Sequence, residues 1–208
     1  MGITGVMLAS VSQQASTALA AASTDNPLMW YLTRTTAMSA YVVLALLVSL
    51  GLMQSIARTS KERLPWVVDA LHQFLGLLFG ILVVCHILTL MADPLISFSL
   101  TNALLPLDEP YRPFAVALGV LAMWTMVLIL LSSWMRRHLS QRVWRLLHYL
   151  SFATFALVTA HGILAGTDAT QFWMLLIYIA AAAIVGFLAV LRLLPKNQKP
   201  QPAGLRGR

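Results

Sequence analysis

The chain has 208 residues, 59% of them hydrophobic and only 10% charged, an apolar excess that excludes an ordinary soluble domain. Its net charge of +7 could suggest nucleic acid, but the basic residues are confined to particular connections between apolar runs. The one cysteine, Cys85, excludes an intrachain disulfide, and no Gly-rich phosphate loop marks a nucleotide or flavin site.

Residues 1–28 contain no Lys or Arg and so lack the basic start of a secretory signal. They read as an extracytoplasmic tail, with an extra helix there left open. Five apolar runs follow, at about 29–54, 68–91, 113–134, 145–165 and 171–194. Each is near the roughly 20 residues that a helix needs to cross a bilayer. The expected fold is an all-α integral membrane helical bundle, a single domain over 29–194, in contact with membrane lipid.

Charge orients it. Arg58, Lys61 and Arg63 lie between the first two runs, and Arg136, Arg137 and Arg142 between the third and fourth, with Arg145 opening the fourth. Arg192, Lys196, Lys199, Arg206 and Arg208 close the fifth run and the tail. The alternate connections hold Asp93, Asp108, Glu109 and Asp168, with Arg112 as their one cation. This is the positive-inside pattern. It predicts the N-terminus outside, the C-terminus in the cytoplasm, and residues 195–208 as a basic cytoplasmic tail.

Four histidines interrupt the apolar runs: His72 and His86 on the second, spaced 14 apart, and His148 and His161 on the fourth, spaced 13 apart. An ionisable side chain inside a span is a functional candidate. At 1.5 Å per residue either spacing is roughly 20 Å, placing one imidazole toward each face of the bilayer. Both spans run in the same direction, so His72 and His148 share the cytoplasmic depth while His86 and His161 share the outer depth. Facing imidazoles suit the two axial positions of a haem iron. Zinc suits them poorly, since neither level offers further Cys, Asp or Glu ligands.

Fourteen residues return His86 to within about 40° of His72 on a regular helix. Gly76 and Gly80 flank that face and would admit a porphyrin, with Phe79 midway. Thirteen residues leave His161 about 140° from His148, which predicts an irregularity in the fourth span, with Gly162 and Gly166 as late candidates. Phe155 is the aromatic nearest the middle of that span; both phenylalanines also suit plain packing. His138, in the basic connection, reads as a solvated surface histidine. Cys85 stands beside His86 but forms no C-x-x-C-H motif, which excludes covalent haem attachment of that kind.

The stretch Arg142-Val-Trp-Arg-Leu-Leu-His148-Tyr-Leu-Ser, ending at His161-Gly162, resembles the second haem helix of the ferric reductase-like transmembrane domain family, and Trp30-Tyr-Leu-Thr-Arg34 resembles its first core helix. That family includes NADPH oxidases, iron-reducing oxidoreductases and stand-alone bacterial haem subunits. The resemblance covers about residues 30–192 and implies two b-type haems, ligated by His72 with His148 and by His86 with His161. It also implies a place near the outer haem for Arg34, whose other reading is an interface residue reaching for water.

Unlike the oxidases, the chain carries little beyond Leu194. FAD or FMN and NAD(P)H are therefore expected only through a partner, either a cytoplasmic flavoprotein or a quinol donor. The implied activity is electron transfer from a cytoplasmic donor to an extracytoplasmic acceptor across a bacterial inner membrane. A quinol-linked cytochrome b-like subunit and a haem-free transporter or assembly factor are the competing readings.

Overall fold

A computed structural model describes residues 28–60, 62–94 and 96–194. The expectations for residues 1–27 and 195–208 lie outside the described residues. All regular structure among the described residues is helical, and five helical segments are long and apolar enough to cross a membrane. In chain order the helices are α1 (Leu28–Thr59), α2 (Trp66–Ala92), the short α3 (Leu100–Leu104), α4 (Pro113–Trp134), α5 (Gln141–His148), α6 (Leu150–Ala165) and α7 (Phe172–Leu193). Helices α5 and α6 together make the fourth span.

Local chemistry sets the helix ends. Pro113 opens α4 at a position where its missing N–H costs nothing, behind Arg112 in the left-handed region (φ 49°). Arg112 donates to the Leu164 carbonyl at 2.8 Å, satisfying one of the last acceptors of α6. Ser140 caps α5 by accepting from the Val143 N–H. Ser99 and Asn102 form a capping box on α3, a helix too short to stand out in the apolar pattern.

The apolar surface is turned outward as well as inward. Phe74, Leu77, Ile81, Val84 and Leu88 are all exposed on α2 and recur at three- and four-residue steps, a continuous stripe down one face. In water such a stripe would cost about 25 cal/mol per Å²; against acyl chains it costs nothing. The chain is an integral membrane protein.

Helix α1 is the hub, packing against α2, α6 and α7, while α4 packs along α6. Ala40, Leu44, Val48 and Leu52, four residues apart on α1, meet Phe79 of α2, Met126 of α4 and Val185 of α7 in the core. Tyr41 stacks on Phe155 at 6.0 Å and meets Tyr178 edge-on at 4.9 Å. Gly162 has no side chain where Tyr178 presses against α6. Several hydroxyls within the bundle are paired locally or across helices. Ser49 bonds the Ala45 carbonyl at 2.7 Å, and Thr125 of α4 meets Thr154 of α6 at 2.8 Å. Such pairs supply glue where no hydrophobic effect draws helices together.

The fourth span is broken, as its histidine spacing requires. The α-helix stops at His148 and restarts at Leu150, and the Phe152 N–H bonds the Tyr149 carbonyl three residues back, at 3.1 Å. A tightened turn adds about 20° per residue over an α-helix, the sense needed to bring His161 round. The irregularity lies at the start of the span, while α6 runs unbroken through Gly162 to Ala165.

Candidate functional site

The structure brings His72 of α2 and His148 of α5 face to face, with ring centroids 6.2 Å apart and planes at 52°. Two bonds of about 2 Å to one metal ion, plus a ring radius of about 1.1 Å at each end, come to roughly 6 Å. That spacing leaves room for one metal ion between the two imidazoles. Neither Nδ1 has a hydrogen-bond partner, although the Leu47 carbonyl of α1 lies beside the His72 ring. Gly51 makes room for that ring: a Cβ there would stand 3.2 Å from His72 Cε1.

At the other level, His86 and His161 lie within electrostatic reach of each other. His86 Nδ1 is 3.1 Å from the Thr33 carbonyl, and His161 Nδ1 is 2.7 Å from the Ala115 carbonyl. A carbonyl only accepts, so each Nδ1 carries the hydrogen and each neutral Nε2 keeps its lone pair. This is the tautomer that a metal-binding histidine needs, fixed by the partner that usually fixes it. Gly119 lies tight against the other ring: a Cβ there would lie 2.8 Å from His161 Cε1.

A division of labour between helices emerges. Helix α2 carries two histidines and α1 backs both, with the Thr33 carbonyl behind one and Gly51 beside the other. Thr33 and Gly51 are 18 residues apart, five full turns, and so share a face. Helix α4 backs α6 in the same way through Ala115 and Gly119. Between the levels lies an apolar layer containing buried Phe79, with Phe155 packed against it.

The remaining expected residues fall as follows. Gly80 packs against Leu130 of α4, whereas Gly76 faces open space with nothing within 4 Å of its missing Cβ. Arg34 lies next to Thr33 and forms a two-point ion pair with Asp168, its Nε donating to Oδ2 at 2.6 Å. Its guanidinium also covers the Trp30 ring at 3.9 Å. His138 is exposed in a 3₁₀ turn. No group of three or more His, Cys, Asp or Glu residues suited to one metal ion occurs among the described residues. Sequence reasoning missed Gly51 and Gly119, which signal themselves only as glycines inside apolar helices, and it missed the Thr33 and Ala115 carbonyls, which carry no side-chain signal.

The described residues form a bundle of five membrane-length helical spans with two pairs of histidines. The chain belongs to the family described as ferric reductase like transmembrane component, whose model matches residues 35–160. No curated protein and no solved structure shows significant similarity to the chain. The family is associated with haem-containing transmembrane electron transfer.

Proposed function

We propose that this protein moves electrons across a bacterial inner membrane through two b-type haems, an inner one held by His72 and His148 and an outer one held by His86 and His161. A haem iron bound between two imidazoles supplies a one-electron Fe(III)/Fe(II) couple. The carrying observation is the 6.2 Å separation of the His72 and His148 rings, which leaves room for one iron between them.

The chain's own residues then have three tasks. The Thr33 and Ala115 carbonyls hold His86 and His161 as neutral ligands in fixed orientation. The layer around Phe79, with Leu44, Val48 and Met126, keeps water and ions out of the space between the levels. The cytoplasmic connections, with Arg58, Arg136, Arg137 and Arg142, offer a positive surface to a flavoprotein or quinol-linked donor. They suit anionic lipid as well. Outside, Arg34 and Asp168 stand at the outer-haem level, where electrons leave for an acceptor.

Haem content tests this reading. The purified chain is expected to hold two haems by pyridine haemochromogen and to show a b-type reduced-minus-oxidised spectrum. His72→Leu and His148→Leu each remove one haem, the same one, and His138→Ala removes none. A haem-free wild type would instead favour the transporter or assembly reading. Full haem content in His72→Leu or in His148→Leu would overturn the pairing.

A further inference from the structure

Two buried ring nitrogens without hydrogen-bond partners, His148 Nδ1 and Trp144 Nε1, stand together at the inner level, and His72 Nδ1 beside them has only the Leu47 carbonyl near it. The two histidines belong to the ligand pair, but the indole has no part in it. Trp144 lies one helical turn before His148 and stacks on it, centroids 4.9 Å apart and planes at 22°. Its N–H is therefore held at the edge of the histidine pair. An indole N–H can only donate, and a donor left without an acceptor inside a membrane protein is costly enough to be rare.

The neighbours say what kind of acceptor fits. The Arg136 guanidinium lies over the indole at 4.4 Å from its centroid. Arg58 and Arg136 both act on His148 at electrostatic range, and Arg58 also acts on His72, where Asp69 is the opposing acid. Two cations and an unpaired donor beside a metal-ligand pair make a setting for an anion, and a porphyrin's carboxylates are the anions that arrive there with the metal.

We infer that the Trp144 indole N–H donates a hydrogen bond to a propionate carboxylate of the haem held by His72 and His148, making Trp144 a positioning residue for that haem. The inference rests on the dihaem reading. The donor draws off part of the carboxylate's negative charge, and with it part of the preference for ferric over ferrous iron. Removing the donor should therefore lower the inner-haem potential and leave the outer one where it was.

The test uses the whole protein with its haems. Trp144→Phe keeps a ring on His148 and loses the N–H; a benzothiophene analogue of tryptophan at position 144 keeps the full shape and loses only the donor. Spectroelectrochemical titration should show a fall in the inner midpoint potential in both variants, of the order of a tenfold shift in the reduction equilibrium, or about 59 mV for one electron. Redox-difference infrared spectra with carboxyl-labelled haem should show a propionate band that moves in both variants. An unmoved band and an unmoved potential in the benzothiophene variant, with both haems bound, would overturn the inference while leaving the dihaem reading intact. That result would also be the signature of an indole bonded to a lipid headgroup. A wild-type chain lacking an inner haem would overturn both.

Discussion

Glycine is the residue type on which the histidine geometry most visibly depends. Gly119 lies against an imidazole already tethered to the Ala115 carbonyl, so the ring cannot retreat without losing that bond. Gly119→Ala is expected to weaken outer-haem retention roughly 10- to 100-fold, the usual range for loss of a partner that orients a metal ligand. Gly51→Ala presses on His72 from 3.2 Å, a few tenths of an ångström of crowding, and should leave the inner haem in place. Haem-to-protein ratios of the two variants check the contrast. The histidines themselves were legible because an ionisable group is conspicuous in an apolar run. Their supports were not: a backbone carbonyl looks the same at every position, and only the fold decides that those of Thr33 and Ala115 point at imidazoles. Asp168 was visible as an acid in the connection before the fifth span, but nothing in its surroundings in the chain named Arg34, 134 residues away, as its partner.

At the scale of the element, the spacing of thirteen was the most informative number in the chain, because regular helix geometry could not accommodate it. The break at Tyr149 turns the span in the needed sense, although the glycines near His161 had suggested a later position. Glycine permits irregularity without requiring it, and in α6 Gly162 serves instead to let Tyr178 approach. If the register of α6 is what aims His161, one alanine inserted between Phe155 and Ala156 rotates that histidine by about 100° and shifts it by about 1.5 Å. The expected product keeps the inner haem and loses the outer one. A chain that still binds two haems after the insertion would count against the register argument. The span limits at 113–134 and 171–194 were readable to within a residue, since hydropathy and proline mark them. Helix α1 reaches Thr59 rather than stopping near residue 54, because Gln54, Ser55 and Arg58 pair within the bundle: Gln54 donates to the Val68 carbonyl, and Ser55 accepts from Arg192.

For the whole molecule, the alternation of basic and acidic connections predicts the orientation, and orientation would decide which haem receives electrons. Reporter fusions check it directly. Green fluorescent protein at the C-terminus should fluoresce, whereas alkaline phosphatase inserted between α2 and α4 should be active. The reverse pattern would exchange the inner and outer levels. The ion pair of Arg34 with Asp168 carries a consequence of another kind, in the timing of synthesis. It ties the first span to the connection that precedes the fifth. A ribosome has already delivered all four histidines when residue 168 emerges, yet Arg34, beside the carbonyl that orients His86, still lacks its counter-charge. The tie is thus made only after residue 168 has been synthesised, so a chain truncated before that point should leave Arg34 without this counter-charge and the first span less firmly held.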